Sequence, residues 1–261
     1  MPMTLPELRR SGPIAYREAG QGPALMLMHG IGGNSKTWEE QYRAFAGSHR
    51  VIGWDAPGFG GSAPAPPAPP ARGAGGAVGL MARHGVEKAA RGGHSIGGIK
   101  PTRVASRHPG RIVRLVLSGT RTGFVGALGF EERLREFDTL TPEERGRTRA
   151  AGMAAPGAAP EVLARLAGIA AEGTREAFAG GVAVLEGTDN RAILQGLRMP
   201  ALVLCGMQDG IAPPERGEEI ASLLPDVRMT CFEGAGHAAY VEKPDEYNAR
   251  LAEFLAEKPH A

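Results

Sequence analysis

The chain holds only two cysteines in 261 residues, Cys205 and Cys231. That is too few for a disulfide scaffold. Each sits inside an apolar run, so both read as small buried hydrophobes rather than a disulfide or a metal site. An excess of one charge is lacking too. Lys and Arg number 30 against 28 Asp and Glu, a net +2, and the arginines between Arg133 and Arg191 alternate with glutamates, which argues against a nucleic-acid surface. No window approaches the roughly 18 apolar residues of a membrane span. The opening MPMTLPELRRSGPIAYREAG has no apolar core of a signal peptide. No histidine pair stands at metal-ligand spacing. These absences predict a cytoplasmic protein without cofactor, metal, nucleic-acid or membrane partner, and nothing in them argues against a homo-oligomer.

What is present is an alternation of short apolar runs with helical patterns, the signature of a mostly parallel sheet with helices on its faces. Residues 24–30, 49–55, 111–119, 200–206 and 227–234 read as strands. Ile14 to Arg17 reads as part of an N-terminal antiparallel pair turning near Gly20–Gly22. Helical periodicity covers Lys36–Ala46, Pro214–Leu224 and Pro244–Leu255. Between Ser118 and Ala201 no convincing strand occurs, but helices are well signalled: Thr141-Pro142-Glu143-Glu144 carries a capping threonine, a first-turn proline and a glutamate placed to close a capping box, and Pro160 opens another. This segment reads as a helical insertion over the sheet's edge. One stretch fits badly. Ala63–Ala77 is proline- and alanine-rich and offers neither helix nor central strand. The GVEKAARGGHS after it should supply a central strand, with Val86 as its one branched apolar residue.

The segment Gly92–Gly98, GGHSIGG, encloses a single serine in glycines and fits G-x-S-x-G, a sharp strand-to-helix turn that exposes a hydroxyl. A strained turn brings its neighbours close, and only a hydrogen fits in place of a side chain there. The glycine-rich composition makes a chance match credible, so the motif needs company. His29-Gly30-Ile31-Gly32-Gly33 follows the first strong strand, where the Ile31 amide could join the Ile96 amide as a pair of oxyanion donors. A serine nucleophile also needs a base. Of seven histidines, His94 adjoins Ser95 but points elsewhere on an extended chain, and His29 reads as a structural hydrogen-bonder under its loop. His49, His84, His108 and His260 read as surface. His237, in GAGH after the last strand, sits at the rim where open α/β sheets place their sites. The orienting carboxylate is Asp209, after the strand PALVLCG. Its rivals are Asp189, which precedes a helix as a cap, and Asp226, which begins a strand at the opposite edge. A decoy lies at Gly58–Ala63, formally G-x-G-x-x-A. Five prolines between Pro64 and Pro70, and no acid from Ala56 to Val86, exclude a dinucleotide site.

Ser95, Asp209 and His237 run in the order Ser…Asp…His. With HGIGG, WDAPGFGGS, GHSIGG, RHPGRIVRLVLSGT, GMQDGIAP and GAGHAAYVEKPDEY, the chain resembles the α/β-hydrolases over nearly its whole length. Within them it is most similar to the enol-lactonase and esterase branch, 3-oxoadipate enol-lactonase-like proteins in particular. The resemblance implies a core of residues 1–120 and 197–261 with a helical cap at 121–196. It further implies a serine hydrolase of a small carboxylic ester or lactone. A carbon–carbon hydrolase or a non-catalytic ligand-binding member of the fold are the alternatives. The cap aromatics Phe124, Phe130, Phe137 and Phe178 are expected to pack on one another. The cap arginines and Arg121 offer no way to choose one that would meet a substrate carboxylate. Three departures stand out: Lys88 and Arg91 where branched apolar residues are expected, and Pro101 in the second turn of the helix after Ser95. Pro101 removes a helix hydrogen bond and disfavours helical geometry at Lys100, a cost of about 3 kcal/mol. Pro101→Ala is therefore expected to raise the melting temperature by several degrees in circular dichroism; an unchanged melt would refute the strain argument.

Overall fold

A computed structural model describes residues 4–64, 75–123, 130–185 and 188–257. The eight strands are β1 (Leu8–Ser11), β2 (Ile14–Ala19), β3 (Ala24–Met28), β4 (Arg50–Trp54), β5 (Ala89–His94), β6 (Ile112–Ser118), β7 (Ala201–Gly206) and β8 (Val227–Phe232). They form one sheet in the order β1-β2-β4-β3-β5-β6-β7-β8. The β1–β2 and β2–β4 pairs are antiparallel, and all pairs from β4 through β8 are parallel. The central parallel strands β3 and β7 are continuous apolar runs because helices cover both faces.

The helices are α1 (Glu39–Phe45), α2 (Gly75–Arg83), α3 (Ile96–Arg107), α4 (Phe130–Thr139), α5 (Pro142–Met153), α6 (Pro160–Ala171), α7 (Arg175–Leu185), α8 (Arg191–Gly196), α9 (Pro214–Leu223), α10 (Ala239–Glu242) and α11 (Pro244–Ala256). One apolar cluster joins Leu25, Leu27, Trp38, Tyr42 and Val116 to Tyr247, Leu251 and Phe254 of α11. The opposite side is shared by two further clusters, one under α2 and α7 and one between α3, α8 and α9. Helices α4 to α8 all lie between β6 and β7. Of these, α5 and α6 pack on each other, while α8 packs on α3 and α9. Thr141 and Glu144 close the capping box of α5 from both sides. Phe130 and Phe137 both meet Phe178, at ring separations of 6.5 and 5.6 Å; Phe124 lies outside the described residues.

Four expectations need correction. The N-terminal hairpin turns at Gly12, φ +60°, with Ser11 opposite Ile14; Gly20 instead lets the chain cross the loop before β4, where a Cβ would stand 2.3 Å from the carbonyl oxygens of Ala46 and His49. The Lys36–Ala46 pattern divides into a 3-10 turn, Ser35–Trp38, capped by the Asn34 side chain, and α1. The last residues of the Ala63–Ala77 stretch are helical, since α2 begins at Gly75; the prolines end at Pro70, and glycine lowers helix propensity without forbidding it. Residues 65–74 lie outside the described residues. Finally, Cys205 and Cys231 form a disulfide. They are register partners across the parallel β7–β8 pair, with Cα atoms 4.5 Å apart, a proximity that only the strand register reveals.

The weak strand is present, fully buried between β3 and β6. Its neighbours supply the bulk: Leu27 Cδ2 fills the space at Gly92, where a Cβ would meet it at 2.8 Å. Arg91 is wholly buried there. Its Nη2 reaches only the Met81 sulfur, and Nε and Nη1 have no partner. Burial, with a smaller push from the Arg111 charge, lowers its pKa to about 10. A buried cation without a carboxylate costs several kcal/mol, and apolar replacement is often stabilising. Arg91→Met is expected to raise the melting temperature, by about 2–4 °C for each kcal/mol recovered in a chain of this size; a lower melt would mean that the guanidinium is satisfied in solution.

Candidate active site

Ser95 is the only non-glycine residue with positive φ among the described residues (φ 55°, ψ −125°). The turn is sterically exclusive. A Cβ on Gly93 would lie 2.1 Å from the Gly97 carbonyl oxygen, one on Gly97 2.3 Å from that of Met28, and one on Gly98 2.9 Å from the Thr120 side chain. Hydrogen bonds hold the strained residue: its N–H donates to the Ser118 carbonyl, and its own carbonyl accepts from Gly98 N–H and the Thr120 hydroxyl. Ile96 is the first residue of α3, so its N–H has no acceptor within the helix. The HGIGG loop passes over the turn, a Cβ on Gly30 standing 3.2 Å from the Ser95 Cβ. Gly30, Ile31 and Ser95 line one cavity of about 20 Å³, closed by Arg149 and Met153 of α5 and by Tyr240. The helix runs through Pro101 without a break.

At the ends of the two strands beyond β6, Asp209 and His237 meet. His237 Nδ1 lies 2.7 Å from Asp209 Oδ2, with both side chains buried. The other Asp209 oxygen accepts from the N–H groups of Ile211 and Ala212, at 2.7 and 2.8 Å. Both oxygens of the buried carboxylate are thus hydrogen-bonded. His237 Nε2 is buried without a hydrogen-bond partner. The rivals stand apart: Asp189 accepts from the Arg191 N–H at the start of α8, and the Asp226 carbonyl pairs with Ala201 at the opposite end of β7.

Several residues that the sequence did not single out hold this arrangement. The His94 ring lies tilted against that of His237, centroids 4.5 Å apart, and its Nε2 meets the His237 carbonyl at 2.8 Å; it is therefore a support for the His237 loop. Glu242 Oε1 accepts from Gly236 and Ala238, the residues flanking His237, while Oε2 accepts from Ala155 after α5. The His237 N–H donates to the Met153 carbonyl at 2.6 Å. Gly119, φ +50°, ends β6 directly against the pair, a Cβ there standing 3.2 Å from His237 Nδ1. The one signal in the sequence was an acid five residues after His237, on the next helix. His29 is the structural bonder expected: Nδ1 meets the Gly30 carbonyl and Nε2 accepts from Ala56 N–H. His108 is exposed, His49 and His84 are part-buried, and His260 lies outside the described residues.

A family model described as the alpha/beta hydrolase fold matches residues 23–244. The chain belongs to the α/β-hydrolase fold family. The pimeloyl-[acyl-carrier protein] methyl ester esterase of Aliivibrio salmonicida (strain LFI1238) is 28% identical over 255 residues, covering 93% of this chain and 95% of that protein. Among solved structures, a hydrolase from Pseudomonas aeruginosa PA01 superposes with a TM-score of 0.86 at 29% identity, over 96% of this chain and 98% of that one. The enol-lactonase from Burkholderia xenovorans LB400 gives a TM-score of 0.86 at 25% identity, over 96% and 100%. Among the described residues, no helix is long and apolar enough to cross a membrane.

Burial lowers the His29 pKa to about 4, against smaller opposing pulls from the Gly30 carbonyl and Asp55. It drives His94 well below the usual imidazole value, with the neighbouring His237 adding to the shift. Both imidazoles are neutral in the folded protein. Below pH 6.5 the unfolded chain binds the protons that the fold refuses, so stability is fully present above that pH and falls as pH drops toward 4. For His29 alone the loss is about 3 kcal/mol. Urea midpoints are expected to decline between pH 7 and pH 4, with a shallower decline in His29→Gln; identical slopes in the two proteins would refute the assignment.

Proposed function

We propose that this α/β-hydrolase is a serine hydrolase that cleaves a small carboxylic ester or lactone through an acyl-enzyme. Ser95 Oγ attacks the carbonyl carbon while His237 Nε2 takes its proton. Asp209 holds the Nδ1–H, which fixes the tautomer and offsets the imidazolium charge. The oxygen of the tetrahedral intermediate rests on the amides of Ile31 and Ile96. His237 then gives its proton to the leaving oxygen. Water, deprotonated by the same imidazole, cleaves the acyl-enzyme and regenerates Ser95. The observation that carries the reading is the buried Asp209–His237 pair with its outer nitrogen unclaimed, at the rim where the strained Ser95 turn lies.

The relative named as a methyl ester esterase supports carboxylic ester hydrolysis, and the enol-lactonase neighbour keeps lactones within the class. The cavity at Ser95 supports a small alcohol portion. Its volume of about 20 Å³ is close to the room one water needs. It lies on the imidazole's side, for Met153 and Tyr240 line it while the Met153 carbonyl bonds His237 and the Tyr240 ring meets His94. A group that leaves with a proton from His237 belongs there. Residues 121–196 serve as the cap that shapes this side, through Arg149 and Met153 of α5 and Leu166 and Ile169 of α6.

Ser95→Ala is expected to lower turnover of p-nitrophenyl acetate and methyl butyrate by on the order of 10⁶, and to abolish labelling by a fluorophosphonate. Wild-type turnover in the variant would remove Ser95 from the mechanism.

A further inference from the structure

A second, much larger cavity of about 840 Å³ shares Gly30 and Ile31 of the HGIGG loop with the small one but is not lined by Ser95. Gly30, Ile31 and Ile96 belong to its wall, which continues over Trp54, Phe59 and the small residues of α7. The wall is mostly apolar, and one cation, Lys100, stands in it. Lys100 is five residues beyond Ser95 on α3, about 7–8 Å further along the helix axis. Its ammonium lies 5.2 Å from the centre of the Trp54 ring, and it has neither a hydrogen bond nor an ion pair among the described residues. Glu176 also lines the cavity but lies exposed at its margin and makes no ion pair with it. Burial alone lowers the Lys100 pKa, to about 8, with no carboxylate holding it up.

We propose that the substrate's acyl chain ends in a second carboxylate, and that Lys100 receives it in this cavity. The proposal rests on the serine-hydrolase reading and deepens it. If the alcohol portion leaves on the imidazole's side, the acyl portion extends the opposite way from the same carbonyl, past Ile31 and Ile96 toward Lys100. A part-buried ammonium against an aromatic ring, without an anion beside it, loses hydration that nothing replaces. An anion entering the cavity replaces it, because a charge-assisted hydrogen bond in mostly apolar surroundings is among the stronger contacts available. The Trp54 face holds the cation in place without neutralising it. The substrate class is the short-alkyl half-ester of an aliphatic dicarboxylic acid.

Arg149 is the competing cation. It lines the small cavity beside Ser95 and also makes no ion pair among the described residues, but it stands on the side assigned to the alcohol. The experiment compares monomethyl esters of succinic through suberic acid with methyl esters of monocarboxylic acids of equal length, read as the ratio of kcat/KM. The wild type is expected to prefer the anionic ester by about tenfold or more at its best chain length, as one charged hydrogen bond would give. Lys100→Met and Lys100→Gln should both bring the ratio to near one, through KM, with melting temperatures no lower than the wild type. A wild type without preference overturns the proposal, as does a ratio that survives both substitutions or collapses only in Arg149→Met. Calorimetric binding of monomethyl adipate separates this proposal from the hydrolase reading. Tight binding to Ser95→Ala that is lost in Ser95→Ala/Lys100→Met upholds the lysine even if no ester turns over; equal dissociation constants in the two overturn it.

Discussion

The turn after β5 is packed so tightly that a side chain at residue 93 or 97 would overlap backbone carbonyl oxygens, and one at residue 98 would press into the Thr120 side chain. That crowding is what allows Ser95 to hold a positive φ. A non-glycine residue there costs about 1–3 kcal/mol, and it persists because its own N–H and C=O are both tied, to the Ser118 carbonyl and to the Gly98 amide and Thr120 hydroxyl. The same packing draws the end of β3 and the HGIGG loop against the turn, since a Cβ on Gly97 would overlap the Met28 and His29 carbonyl oxygens. The position of the candidate oxyanion donors is therefore a consequence of how closely the strand-to-helix turn is packed.

The other half of the site is governed by desolvation. Asp209 and His237 are buried together, and buried polar groups are costly unless they are hydrogen-bonded. Two backbone amides and one imidazole bond the carboxylate. The His237 loop has no regular secondary structure, yet its polar backbone groups are bonded through Met153, His94 and Glu242. Two of these ties reach the end of α5, so that helix and the loop that carries the imidazole are fixed to one another. Moving α5 would move the groups that orient His237.

The main strands were legible because runs such as ALMLM and ALVLC are buried on both faces and read as continuous apolar segments. The capping box of α5 was legible because it is local chemistry. Ser95, His237 and Asp209 were picked out by their places after strands, and the chain does bring Asp209 to His237. What escaped depended on register or distant contact. Cys205 and Cys231 are separated by 26 residues, and only the β7–β8 alignment makes them neighbours. The turn at Gly12 was hidden because Gly20 and Gly22 carry an equally strong turn signal, there serving a close crossing. His94 and Glu242 act on backbone groups of the His237 loop, and no local pattern announces a bond across 143 residues.

Arg91 and Lys100 interrupt the apolar pattern on either side of the serine turn in the same manner, one in β5 and one in α3, yet their surroundings separate them. Arg91 is fully buried, with the Met81 thioether of α2 as its neighbour. With no exposed surface, its charge acts on stability. Lys100 opens onto the large cavity, beside an aromatic face and next to the loop over Ser95. Pro101 follows it directly, and its ring leaves the Gly97 carbonyl without the amide that would otherwise bond it in the helix. A proline here weakens the helix just where it carries the lysine, a conflict between local propensity and global fold of the kind that marks functional positions. The same residue type out of pattern is thus a defect in one wall of the fold and a receptor in the other, and access from the cavity is what decides between them.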